Sequence, residues 1–274
     1  MPRRTHVIVG ASLAGASAAA ELRKRGFEGR IVLVGDEPHP PYERPELSKK
    51  YLRGDPDVDV AVHGRSFYDE QAVELMLGTH VEHIDLAGRL VDAGDEHIGF
   101  DRLLLATGSR ARRLDVPGAG LDGVATLRTI DDADAIRERA LDAESVVVVG
   151  GGWIGSEVAA SLRQLGVPVT LVMATRTPLE TVLGPDVGDV YRAAHEAHGV
   201  RLVPAARVVA IEGTTRASGV RLEDGTKIPG DLVVVGVGAE PRTELALAAG
   251  LAVDDGVLVD ERLESNVAGV FAAG

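Results

Sequence analysis

HVIVGASLAG (His6–Gly15) and VVVVGGGWIG (Val146–Gly155) carry one pattern twice. Each is a β-branched run that ends in a glycine turn. Alanine-rich stretches with helical spacing follow, Ala16–Gly26 and Ser156–Gly166, and each closes on a glycine. Second β-branched runs come next, RIVLV (Arg30–Val34) and VTLV (Val169–Val172). Each copy reads as strand–helix–strand, and parallel strands joined by a helix start a parallel sheet. The copies lie 140 residues apart, too far for a solenoid, so they predict two α/β domains of Rossmann type.

The remaining chain fits around these units. LLLA (Leu103–Ala106) reads as a buried strand ending at Thr107-Gly108, and Arg110–Gly123 as a crossing linker. A helix is expected over Asp131–Leu141 and another over Asp186–His198. Strands are expected near Arg201–Pro204, Val208–Glu212, Gly219–Leu222 and Leu232–Val237, with a second crossing at Gly238–Arg242. Gly256–Asp260 and Gly269–Ala273 read as strands returning to the first sheet. This makes residues 1–115 and 240–274 one domain, with 116–239 inserted into it.

Composition narrows the function. With 29 basic and 42 acidic residues the net charge is −13, against the basic stripe a nucleic-acid binder needs. Aromatic residues are 3% of the 274, too few for base-stacking platforms. Cysteine is absent, which excludes thiolate metal sites and redox cysteine pairs, so electrons would reside on an organic cofactor. The apolar stretch Val7–Ala20 is interrupted by Gly10, Ser12, Gly15 and Ser17 and is followed by Glu21. It reads as neither a secretory signal nor a membrane span, and a cytoplasmic location without membrane contact is expected.

Gly150, Gly152 and Gly155 complete a G-x-G-x-x-G pattern at a strand–helix turn, the context that specifies dinucleotide binding. Trp153 and Ile154 fill its variable positions. The first copy has Gly10, Ser12 and Gly15 with Leu13 and Ala14 between, Ser12 standing for the middle glycine. A nucleophile elbow would need glycine at position 14, so this copy too reads as a pyrophosphate turn, with Ser12 beside the phosphates. Asp36 and Glu37 follow the first unit's second strand, where a carboxylate accepts ribose hydroxyls. The second unit has Met173 there, with Arg176 three residues on as a candidate for a 2′-phosphate, leaving NADH and NADPH both open. His195-Glu-Ala-His198 has the wrong spacing for a zinc-protease helix and reads as helix surface. His80 and His83 read as solvated, and Pro38–Pro45 as a stiff loop over a cofactor. Lysine occurs only at 24, 49, 50 and 227, which draws attention to Lys49.

Six segments together resemble the FAD-dependent NAD(P)H–ferredoxin reductases of oxygenase systems. They are Val7–Gly15, LVGDEPHPPYERPELSK (Leu33–Lys49), LLLATG (Leu103–Gly108), LRTIDDA (Leu127–Ala133), VVGGGWIGSEVAASL (Val148–Leu162) and VVGVGAEPRTELA (Val234–Ala246). The resemblance implies FAD on the first unit and NADH or NADPH on the second. It places Ala14, Asp36, Lys49, Val81, Arg128 and Arg44 at FAD, with Ala106, Thr107 and Gly108 along the same turn. It sets a Lys49–Glu157 pair beside the flavin N5 edge and lines the nicotinamide with Val237 and Gly238. The implied reaction passes hydride from NAD(P)H to FAD and then single electrons to a ferredoxin or Rieske-type iron–sulfur protein.

The chain departs from that family at Glu46, at Met173 and at its end. The resemblance therefore leads us to expect that a C-terminal part, including an interface domain, is absent and that FAD is held weakly. A dinucleotide-binding core without turnover is the alternative, as is a flavoprotein using oxygen or a quinone as acceptor. Arg110, Arg112, Arg113 and Lys50 are expected to form a basic surface for an acidic partner.

Overall fold

The computed structural model describes residues 4–274, which divide into two compact units. The first comprises the described residues through Glu43, with Val60–Arg110 and Glu240–Gly274. Its strands β1 (Thr5–Val9), β2 (Arg30–Val34), β3 (Val73–Met76), β7 (Arg102–Leu105) and β20 (Val270–Ala272) form a parallel sheet in the order β20-β7-β1-β2-β3. Val7 pairs with Val32 and Leu103, and side chains alternate between faces along each strand. Val7, Val9, Val32, Val34, Leu103 and Leu105 pack toward the antiparallel meander β4 (Val81–Asp85), β5 (Leu90–Ala93) and β6 (Glu96–Gly99). Ile8, Ile31 and Leu33 meet Ala16 and Ala19 of α1 (Leu13–Lys24) and Tyr68 of α3 (Arg65–Glu70). Small residues on α1 let its backbone sit close to the sheet.

Of the two tail segments expected in this sheet, only β20 joins it. Gly256 has φ +123° and turns β19 (Gly256–Val257) back onto β18 (Val253–Asp254) as a separate hairpin, preceded by α8 (Glu244–Ala248). The short strands β8 (Ser109–Ala111) and β17 (Ala239–Pro241) fall at unit boundaries along the chain.

The second unit comprises Arg44–Asp59 and Ala111–Ala239. Its parallel sheet runs β12-β11-β10-β16-β9, from Arg201–Val203, Val169–Val172, Val146–Val149, Leu232–Val235 and Val124–Thr126. One face packs on the meander β13 (Val208–Gly213), β14 (Ala217–Leu222) and β15 (Lys227–Pro229). Helices α4 (Ile130–Asp142) and α5 (Trp153–Gln164) also pack on this sheet. Both sheets therefore carry one plan, with the first strand of the repeat at the centre and the order reversing beside it.

Two boundaries differ from those read in the sequence. The inserted unit begins at residue 111 rather than 116, and it also takes Arg44–Asp59. That segment forms a 3-10 turn (Pro45–Ser48) and helix α2 (Lys50–Arg53), with Leu47 and Leu52 buried. Ser161 Oγ donates to the Ser48 carbonyl at 2.7 Å, and Arg44 Nη1 to the Arg128 carbonyl at 2.8 Å. These are tertiary bonds, so no local pattern announces them. Between β11 and β12 run α6 (Glu180–Leu183) and α7 (Pro185–Ala197). His195, expected on the helix surface, is buried at 7% exposure. Among the described residues no helix is long and apolar enough to cross a membrane.

Candidate dinucleotide sites

Both glycine turns lie at the carboxyl ends of central strands, where strand order reverses and open α/β sheets bind ligands. Gly10 and Gly150 have φ +118° and +117°, a region that disfavours side chains. A Cβ at Gly10 would lie 2.0 Å from the Ala106 carbonyl oxygen, and one at Gly150 2.3 Å from that of Gly236. Gly15 and Gly155 let each helix close onto its strand; their Cβ atoms would fall 2.1 and 1.8 Å from the carbonyl oxygens of Gly10 and Gly150. Gly152 differs, since a Cβ there would meet no protein atom within 4 Å and its φ is −77°. Packing within the protein does not require that glycine, and its absent side chain leaves room for the close backbone approach that a pyrophosphate needs.

The helix starts support the same point. Helix α4 closes its N-terminus with a capping box, Thr129 Oγ1 accepting from the Asp132 N–H and Asp132 accepting from the Thr129 N–H. Neither Ser12 before α1 nor Gly152 before α5 caps its helix through a side chain, a feature these starts share with α7, so it is their place at the strand-order reversals that sets them apart. First-turn amides and positive dipole ends of this kind are groups that can receive a phosphate. The residues present therefore fit a dinucleotide at each turn. Leu13, Trp153 and Ile154, which open these helices, are exposed, whereas Ala14 is half-buried.

In the first unit, Gly10, Asp36, Val81 and Thr107 line one cavity of about 320 Å³ with His80 and Arg242. Arg242 Nη1 donates to Asp36 Oδ2 at 2.7 Å, and Thr107 Oγ1 donates to the Arg242 carbonyl at 2.9 Å. The Arg242 N–H bonds the carbonyl of Gly108, a residue with φ +66°. Glu37 lies outside that lining, and its carboxylate takes the Tyr42 hydroxyl at 2.5 Å. Arg242 was not singled out from sequence, although the segment Val234–Ala246 contains it.

The second unit has a cavity of about 300 Å³ lined by Gly150, Gly152, Thr175, Glu180, Arg207 and Val237, among others. Gly238 follows Val237 with φ +113° and is exposed. Arg176 does not line this cavity; its backbone N–H donates to Glu180. Glu180 escaped the sequence reading because it lies past the strand end where a ribose carboxylate is sought.

A separate cleft of about 470 Å³ between α5 and α7 is lined by Trp153, Glu157, Tyr191 and His195. Lys49, Arg44 and Arg128 all belong to the second unit. Lys49 Nζ lies 2.9 Å from Glu157 Oε2, which also accepts the Ser48 hydroxyl at 2.5 Å. Lys49 Nζ donates further to the Pro45 carbonyl at 2.6 Å.

Arg110, expected on a basic surface, is bound in the first unit by Glu240 at 2.5 Å and by Glu244. Hydrogen bonds to Glu240 and then Glu244 hold its guanidinium above the usual arginine range. Arg110, Arg112 and Arg113 are all exposed, but only the charge of Arg110 is matched by these two carboxylates.

Residues 4–274 match the family model described as pyridine nucleotide-disulphide oxidoreductase. The ferredoxin–NAD(+) reductase component of the biphenyl dioxygenase system of Paraburkholderia xenovorans is 44% identical over 98% of this chain. Rhodocoxin reductase of Rhodococcus erythropolis is 42% identical over 98%. The chain spans 66% and 64% of the length of these two relatives. Among solved structures, the covalent putidaredoxin reductase–putidaredoxin complex matches with TM-score 0.95 and 37% identity, over 100% of this chain and 68% of that one. The ferredoxin reductase for the CYP199A2 system of Rhodopseudomonas palustris matches with TM-score 0.94 and 39% identity, over 98% and 67%.

Proposed function

The chain belongs to the pyridine nucleotide-disulphide oxidoreductase family, and on that premise we propose that it is the dinucleotide-binding part of an NAD(P)H-dependent ferredoxin reductase. The observation that carries the reading is the duplicated glycine turn, each copy at the carboxyl end of a central strand, at a strand-order reversal, and opening a helix. FAD would occupy the first turn and NAD(P)H the second. Bound FAD supplies the chemistry, taking two electrons as hydride and passing them on one at a time.

The protein's own part is binding and placement. The first-turn amides of α1 and α5 receive the two pyrophosphates, and Asp36 takes ribose hydroxyls of the flavin's adenosine. Val81, Ala14, Arg44 and Arg128 belong to the FAD contacts of this reading, and Val237 and Gly238 to those of the nicotinamide. Lys49 is assigned to the N5 edge of the flavin, and Glu157 and the Pro45 carbonyl hold its ammonium in place. The electron acceptor is a ferredoxin or a Rieske-type iron–sulfur protein, and the location is cytoplasmic.

The test uses the purified 274-residue chain reconstituted with FAD and mixed with NADH or NADPH without oxygen. Bleaching of flavin absorbance, followed by reduction of an added [2Fe–2S] ferredoxin faster than oxygen is consumed in air, is the expected result. Bleaching with oxygen or a quinone as the better acceptor would replace the ferredoxin assignment. Absence of both FAD and NAD(P)H binding would overturn the reading.

A further inference from the structure

We infer that Glu180 reads the adenosine 2′ position in the second unit's cavity and selects a dinucleotide with a free 2′-hydroxyl over one with a 2′-phosphate. This rests on the reading of that cavity as the NAD(P)H site. The usual reader is a carboxylate closing the second strand of the unit. Here that place belongs to Met173, whose side chain is 1% exposed and packs under the glycine turn. A Cβ at Gly151 would lie 2.9 Å from Met173 Cβ and 3.2 Å from its sulfur. A thioether is at most a weak acceptor, so Met173 cannot fix a ribose hydroxyl.

The chain after Met173 brings in another carboxylate. Leu179 has φ +58°, an uncommon backbone state for a branched, bulky residue. Its buried side chain and a 2.8 Å bond from its N–H to the Gly151 carbonyl hold it there. That bond folds the loop onto the glycine turn and puts the next residue, Glu180, in the cavity lining beside Thr175 and Gly150. Glu180 Oε2 accepts the N–H groups of Arg176 and Thr177 at 2.8 and 2.9 Å, and the Thr177 hydroxyl at 3.3 Å. Glu180 Oε1 takes part in none of these bonds. A carboxylate fixed through one oxygen offers the other to a hydroxyl, and a charge-assisted bond of that kind discriminates strongly. A phosphate brought to the same carboxylate meets repulsion instead. Arg207, which also lines the cavity, is exposed, and solvent screens its pull on a phosphate.

The test measures equilibrium binding of ADP-ribose and 2′-phospho-ADP-ribose to the full chain by calorimetry, with no nicotinamide and hence no turnover. The wild type should bind ADP-ribose about tenfold or more tightly than the phosphorylated probe. Glu180→Gln keeps an acceptor for the two amides and should bring the ratio to about one. Rising salt should narrow the ratio of the two affinities on the wild type, because it screens a repulsion that only the phosphorylated probe meets, and this readout needs no variant. A wild-type preference for the phosphorylated probe, a ratio that widens with salt, or an unchanged ratio in a folded Glu180→Gln would overturn the inference. Failure of both probes to bind the wild type would overturn the site reading as well.

Discussion

Lys49 and Glu157 form a 2.9 Å ion pair within the second unit, although 108 residues separate them in the chain. Their side chains are 38% and 24% exposed, so the pair contributes about 1 kcal/mol or less to stability. Its proposed role is electrostatic, since a cation at the N5 edge favours an electron-rich flavin. Lys49→Met should lower Tm by no more than about 4 °C and slow flavin reduction by NAD(P)H about tenfold or more. Stopped-flow absorbance, redox titration and a melting curve check this. A wild-type rate and potential in the variant would remove Lys49 from the mechanism.

The glycines of the second turn should separate binding from folding. Gly152→Val adds atoms where no protein atom lies, on backbone that any residue adopts. It should keep Tm within a few degrees and weaken NAD(P)H binding about a hundredfold. Gly155→Ala puts a methyl group against the Gly150 carbonyl and should cost about 2–3 kcal/mol. Calorimetric melting beside ligand titration distinguishes the two outcomes.

Asp36 and Arg242 meet in the first unit's cavity, whereas the groups assigned to NAD(P)H belong to the second unit. Asp36→Asn should weaken FAD binding about tenfold to a hundredfold through loss of a charged acceptor. NAD(P)H affinity should stay within about twofold. Flavin fluorescence quenching and nucleotide calorimetry on the same preparation measure both. Equal weakening of the two ligands would place Asp36 outside the flavin site.

His195 links the second unit to pH. Burial, and next the nearby His198 charge, hold its pKa below the usual histidine value of 6.5. The unfolded chain therefore binds a proton near pH 6.5 while the folded chain still does not. The stability this neutral histidine contributes above 6.5 is lost as pH falls toward the lowered folded value. His6 is shifted the same way by burial and Arg102. Chemical denaturation from pH 7.5 to 5.5 should show falling stability, with a shallower fall in His195→Gln. Parallel curves for the two proteins would contradict this.

Arg110, Arg112 and Arg113 are all exposed, but Glu240 and Glu244 match the charge of Arg110, which leaves Arg112 and Arg113 to carry the expected basic run. Arg112→Glu with Arg113→Glu should raise the KM for an acidic ferredoxin several-fold and flatten its salt dependence. Arg110→Ala should leave both within about twofold. Steady-state rates across ionic strength decide the matter.

The glycine spacings and the β-branched runs around them determine the duplicated α/β plan by local physics. A strand favours branched side chains, a φ near +118° as at Gly10 and Gly150 favours glycine, and a helix close against a sheet favours small residues. Gly10, Gly15, Gly150 and Gly155 are therefore legible one at a time, and the parallel order follows from the helix between each strand pair. The Lys49–Glu157 pair was also anticipated, but from resemblance rather than spacing. Tertiary structure alone assigned Arg44–Asp59 to the inserted unit, because Ser48, Lys49 and Leu47 find their partners more than a hundred residues away or in buried contacts. It alone buried His195, matched Arg110 with Glu240 and Glu244, and set Arg242 on Asp36. Glu180 belongs to the same class: a left-handed Leu179 tied to Gly151 brings it to the cavity, and no periodicity encodes that bond. Local chemistry specifies which elements form. Which charges meet depends on the three-dimensional path of the chain.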